Sequence, residues 1–193
     1  MKNNALIAGI ILLLYLFNIP VTAQEKKYNA IQAVVPFLTI APDSRAGALG
    51  NAGVATSADL YSMHWNPAKY AFIDGKAGFG MSYVPWLRAL VNDINLSNIT
   101  GFYRIDNRQV VAASLMYSAL GRIEFTDEYG GRLMDINPNE FSVDAAYSRL
   151  FSEHWSGGVA LRFIYSNLTG GQTVGSTETD VGTAFAADAS VFY

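Results

Sequence analysis

Side chains able to do acid–base, nucleophilic or metal chemistry are few in this sequence and scattered along it. Histidine occurs twice, as His64 and His154. One precedes the strand-like segments and the other falls in a short turn, so the sequence offers no convergent partners for a His-based triad or a zinc site. No G-x-S-x-G nucleophile elbow occurs. Without a single cysteine there is no thiol chemistry and no disulfide framework. Glu124, Asp127 and Glu128 gather in one loop, where a cation site competes with the commoner outcome of a solvated loop face. Gly47, Gly50 and Gly53 recur every third residue, but no Gly-Lys-Ser/Thr follows to make a phosphate loop. Tight turns packed against a wall are the better account of them. A net charge of −3 with no basic run leaves no nucleic-acid footprint. The expectation is a protein that is not an enzyme and uses no cofactor or metal.

The elements that would position these residues announce themselves by period. From Ala77 onward apolar residues fall on every second position of strand-length segments, predicted at Ala77–Pro85, Ile94–Ile105, Arg108–Ala119, Glu140–Phe151, Trp155–Leu168 and Val181–Tyr193. Each has about the ten residues a tilted strand needs to cross a bilayer. Phe141, Val143, Ala145 and Tyr147 share one face, while Ser142, Asp144, Ala146 and Ser148 share the other. Val159, Leu161, Phe163 and Tyr165 repeat the pattern against Gly158, Ala160, Arg162 and Ser166, as do Phe185, Ala187, Val191 and Tyr193 against Ala184, Ala186, Asp188 and Ser190.

A water-soluble sandwich also alternates, so the connections carry the distinction. Asp106-Asn107 and Ser152 to His154 are tight turns. Trp86 to Asp93, Leu120 to Asn139 and Thr169 to Asp180 are long, and short and long strictly alternate. Outer-membrane barrels sort their connections in this way, short on the periplasmic side and long outside. Aromatics fall into two rows, with Trp86, Tyr117, Phe141 and Tyr165 near the outer strand ends and Tyr103, Tyr147, Trp155 and Tyr193 near the inner ends. With 51% hydrophobic residues and a mean hydropathy of +0.18, the chain is apolar without containing a spanning helix after Ala23. The predicted fold is an all-β transmembrane antiparallel β-barrel in the cell outer membrane, in contact with its lipid. If Ser152 to His154 forms a turn, Asp144 and Arg162 lie opposite each other on the inner face and Asp188 could extend the pair; solvation of each charge in a wet lumen is the competing reading.

The chain opens as an exported protein does. Lys2 supplies a positive start, Ala5 to Phe17 an apolar run too short to span, and Val21-Thr22-Ala23 a cleavage site before Gln24. Residues 1–23 are therefore read as a signal peptide, 24–73 as a periplasmic segment and hatch of short helical pieces, and 74–193 as barrel strands. Asn66 suits a helix N-cap and Pro67 the first helical position.

Three stretches carry a resemblance: Pro36-Phe37-Leu38-Thr39-Ile40-Ala41-Pro42-Asp43-Ser44-Arg45-Ala46-Gly47, then Gly53-Val54-Ala55-Thr56, then His64-Trp65-Asn66-Pro67-Ala68-Lys69. Together they closely resemble the N-terminal region of the PorV family, outer-membrane barrels of the type IX secretion system. Arg45, Gly47 and the Asn66-Pro67-Ala68 element are also similar to the wider family of FadL-type fatty-acid transporters, whose corresponding segment forms a hatch inside a barrel of 14 strands. The resemblance implies a non-enzymatic role: receiving secreted cargo from the type IX translocon barrel through its C-terminal signal domain and delivering it to the surface attachment complex. It implies working extracellular loops, and Trp86, Leu87, Arg88, Ala89, Leu90 and Val91 form an unusually apolar one, a partner-binding patch or else a fold-back over the rim. A channel for hydrophobic solutes is the alternative, and a lipopolysaccharide O-deacylase a weaker one, since no nucleophile and base support it. About six strands are fewer than the eight of the smallest single-chain barrels. The expectation is the N-terminal part of a longer protein; a natural short form or an oligomeric barrel stays open.

Overall fold

Alternation in the sequence becomes strands in the structure. The computed structural model describes residues 35–86, 93–126, 129–168, 173–174, 177–178 and 181–193. The expected signal peptide and residues 24–34 lie outside the described residues. The strands are β1 (Ala77–Pro85), β2 (Ile94–Arg104), β3 (Gln109–Leu120), β4 (Ile123–Thr126), β5 (Arg132–Ile136), β6 (Asn139–Leu150), β7 (Ser156–Asn167), β8 (Thr173–Val174), β9 (Thr177–Glu178) and β10 (Gly182–Phe192). The six long ones match the predicted six to within one residue at every end. They form one antiparallel sheet in the order β1-β2-β3-β6-β7-β10, whose outer strands β1 and β10 are each paired on one side among the described residues. The observed architecture is thus a six-stranded antiparallel sheet. No helix among the described residues is long and apolar enough to cross a membrane.

Two of the long connections contain hairpins: β4 pairs with β5, and β8 with β9. The tight turns form for identifiable reasons. Asp106 accepts from the Arg108 backbone N–H at 2.7 Å and from Gln109 Nε2 at 2.6 Å, an Asx turn. Ser152 Oγ accepts the backbone N–H of Trp155 at 3.2 Å.

The outward face of the sheet is apolar and exposed, while the covered face buries polar residues among apolar ones. In β3, Val111, Leu115 and Tyr117 are exposed while Ser114 and Ser118 are buried. In β6, Val143 is exposed, whereas Glu140, Ser142, Asp144 and Ser148 are buried. Phe79, Met81, Leu161 and Phe185 are each more than two-thirds exposed on the same outward face. Strand register lines the aromatics up in rows. Tyr117 pairs with Phe141, and Phe141 with Tyr165, whose ring stacks on it at 4.7 Å.

The inner face is covered by residues 36–72. These form a 3₁₀ turn (Pro36–Thr39), a helix (Ser44–Ala48) capped by the Asp43 carboxylate on Ala46 N–H, a second helix (Ser62–Trp65) and a 3₁₀ segment (Pro67–Phe72). Met63, Tyr70 and Ile73 pack on Phe102, Val110, Ala112, Ala146 and Ala160 of the sheet. Nearer the long loops, Phe37 packs on Leu96, Met116 and Ile164. A buried ring such as Phe37 contributes about 1.5–3 kcal/mol by leaving water.

Candidate functional site

The helical segment is stitched to the sheet at Asn66-Pro67-Ala68. Asn66 caps the 3₁₀ segment by accepting from Ala68 N–H at 3.1 Å, and its Nδ2 donates across to the Val191 carbonyl at 3.1 Å. Ala68 O accepts from Ser148 Oγ at 3.0 Å and Ser156 Oγ at 2.7 Å, and Ala68 N–H also donates to Ser190 Oγ at 3.1 Å. Ser148 Oγ in turn accepts from Ala71 N–H at 3.1 Å. Three neighbouring strands, β6, β7 and β10, thereby present hydroxyls to one turn of backbone whose amides a helix this short cannot satisfy internally. The approach requires glycine at 158, because a Cβ there would lie 2.6 Å from Ala68 N. Sequence reasoning places Ser148 and Ser190 on the inner face but gives no sign of their partners, which are main-chain atoms.

Lys69 and Tyr70 complete the seam. Lys69 is fully buried, with Nζ donating to the Gly53 carbonyl at 2.8 Å and Thr56 Oγ1 at 3.1 Å, and burial lowers its pKa from the ordinary lysine value. Tyr70 OH donates to the Leu60 carbonyl at 2.7 Å, and burial pushes its pKa up to about 12. Of the three periodic glycines, Gly50 adopts a positive φ of 70° and Gly53 abuts the Trp65 ring, as tight turns and close packing require. Gly47 differs: it lies in the helix Ser44–Ala48 with open space where a Cβ would sit. Arg45 donates to Asp59 at 3.0 Å and Ser57 at 2.8 Å, holding the Leu49–Leu60 stretch back on its own helix.

On the inner face Asp144 and Arg162 are register partners. Arg162 Nε donates to Asp144 Oδ1, and Asp144 Oδ2 accepts from Ser114 Oγ at 3.0 Å and Ser142 Oγ at 3.3 Å. Asp144 is 3% exposed, so its carboxylate is satisfied by protein rather than by bulk water. Asp188 stands farther off, its Oδ2 3.9 Å from Arg162 Nη1 and half exposed. The helix Ser62–Trp65 brings His64 to this pair, a convergence the sequence reading did not anticipate: His64, Asp144 and Arg162 line a single small cavity. Burial, and then the positive field of Arg162, draw the imidazole pKa down from 6.5 to about 4, so it is neutral at neutral pH. The arrangement is not a triad, in which an imidazole stands between hydroxyl and carboxylate, because the serine hydroxyls bond Asp144 directly.

At the long-loop end, Trp86 follows β1 and borders a cavity of about 290 Å³ with Phe37, Ile40, Ile94, Leu120 and Glu140. Leu87, Arg88, Ala89, Leu90 and Val91 lie outside the described residues, as do Asp127 and Glu128. Glu124 pairs with Arg132 at 3.3 Å across the β4–β5 hairpin. His154 sits in the exposed β6–β7 turn, 6.2 Å from the Tyr193 ring. Among the described residues no group of three or more His, Asp or Glu side chains could hold a metal ion.

Residues 22–193 match the family described as type IX secretion system protein PorV. No curated protein matches the chain.

Proposed function

We propose, from the premise that this chain belongs to the PorV family of type IX secretion system proteins, that it is an outer-membrane barrel component which receives cargo from the translocon and hands it to the surface attachment complex. Membership of the family makes it a type IX secretion component. The cargo's C-terminal signal domain is the recognised feature in this reading, and the role is non-enzymatic. One observation carries the membrane placement. The sheet exposes Phe79, Met81, Leu115, Val143 and Leu161 while burying Ser142, Asp144, Ser148 and Ser156. Such a surface is costly in water and favourable in hydrocarbon. Residues 36–72 then act as a hatch on the lumen side, and the long connections face outward with Trp86, Leu87, Arg88, Leu90 and Val91 as the partner-binding loop.

A second reading has its own support. The cavity bordered by Phe37, Ile40 and Trp86 is lined mainly by apolar side chains, with Asn95, Ser118 and Glu140 among them, and is of a size to hold part of a hydrophobic solute, which suits a channel. Deleting the gene separates the two. Cargo lost from the surface and retained in the periplasm is the expected result, whereas normal cargo display with lost fatty-acid uptake would overturn the secretion role in favour of the channel. Replacing Trp86 to Val91 by Gly and Ser should reduce recovery of the translocon or cargo in a pull-down, and undiminished recovery would remove the loop from the site.

A further inference from the structure

The small cavity beneath the helix Ser62–Trp65 contains a group that the Asp144–Arg162 pair leaves unexplained. Asn98, on the inner face of β2, is 4% exposed, and its Oδ1 is buried without a hydrogen-bond partner among the described residues. It lines the cavity together with Tyr61, His64, Thr100, Asp144 and Arg162. A buried acceptor left in that state is destabilising, and native structures satisfy it with protein or with ordered water. The cavity has a volume of about 10 Å³, which is about the room one water requires. Its lining selects the guest's charge as well as its size. Asp144 and Arg162 neutralise each other across the strands, and the remaining lining groups are uncharged, polar at Tyr61, His64, Thr100 and Ser114 and apolar at Pro42, Met63 and Met116, so an ion would find no net attraction. A neutral molecule that both donates and accepts fits the polar part of that lining.

We propose that this cavity binds one ordered water, which donates to Asn98 Oδ1 and joins β2 to the His64 helix and the Asp144–Arg162 pair. The helical segment then meets the sheet in two different ways. At Ala68 the contact is direct, hydroxyl to backbone. At His64 the polar contact runs through water, beside the direct packing of Met63 on the sheet and the direct bond from Thr100 Oγ1 to the Leu60 carbonyl at 3.0 Å.

Density maps at about 2 Å from the detergent-extracted protein should show a peak within hydrogen-bond distance of Asn98 Oδ1, inside the cavity; maps without a peak would overturn the proposal. The second measurement is the thermal midpoint of Asn98→Leu, which keeps the volume and removes the amide. Where water bridges, the variant strands that water and its other partners, and the midpoint falls by about 2–4 °C. A midpoint that is unchanged or raised would mean that the amide had been a dry, unpaired group relieved by its removal, and the water site would be rejected. Should the variant not fold, the wild-type map decides alone.

Discussion

Asp144 and Asp188 both approach Arg162, yet their surroundings assign them unequal weight. Asp144 is buried and takes bonds from Arg162, Ser114 and Ser142, while Asp188 is half exposed at 3.9 Å. Asp144→Ala strands a largely buried guanidinium and should cost about 3–5 kcal/mol. Asp188→Ala should cost under about 1 kcal/mol. Chemical denaturation of the two variants in detergent checks the contrast, and equal losses would show that the burial difference has no energetic consequence. His64 adds a pH dependence. Its folded pKa of about 4 lies below the ordinary 6.5, so on acidification the unfolded chain takes up the proton first. The contribution is complete above pH 6.5 and is lost as pH falls from 6.5 to about 4, by about 3 kcal/mol in all. Thermal midpoints should drop over that window and His64→Gln should flatten the drop; a variant that keeps the full drop would assign it to other groups. The Asp144–Arg162 pairing is readable from sequence because a short turn fixes register. The approach of His64 is not, because it depends on how a separate helical segment lies over the sheet.

The elements divide along the same line. Six strands are legible because period-two alternation runs for nine or more residues in each, long enough to outvote local exceptions. The β4–β5 hairpin is not, since four and five residues carry too little pattern; the ion pairs that cross it, Arg132 with Glu124 at 3.3 Å and Arg122, just ahead of β4, with Asp135 at 3.6 Å, rest on exposed arginine side chains. Asn66 and Pro67 identify the start of the 3₁₀ segment from residue type alone, but its seat on the wall depends on a residue with no side chain. Gly158→Ala would place a Cβ 2.6 Å from the Ala68 nitrogen, where backbone must give way, whereas Gly182→Ala would meet nothing closer than 3.6 Å. The first should displace the segment, at a cost of about 1–3 kcal/mol for overpacking, and make Lys69 reactive towards amine reagents, and the second should do neither. Lysine labelling followed by peptide mass spectrometry reads this directly, and an unreactive Lys69 in Gly158→Ala would count against the close approach.

At the scale of the whole molecule, the exposed apolar face and the paired ladder make a joint demand. In lipid every strand N–H and C=O must be bonded, because the hydrocarbon offers no partners, and an open sheet edge there is prohibitive. The sheet bonds β1 only to β2 and β10 only to β7 among the described residues, and single-chain barrels close with no fewer than about eight strands. In the proposed membrane setting the outer edges of β1 and β10 therefore require hydrogen-bonding partners. Hydrogen exchange in a lipid nanodisc tests for them without presupposing their source. Alternate amides of Ala77–Pro85 and Gly182–Phe192 that point away from β2 and β7 should exchange as slowly as those of Gln109–Leu120, which is paired on both sides. Rapid exchange confined to the outward-pointing amides of those two strands, in protein that still carries secreted cargo, would mean a sheet that functions with open edges. Such a sheet could not sit in hydrocarbon, and the exposed Phe79, Leu115 and Leu161 would then have to be covered by a protein partner instead of lipid.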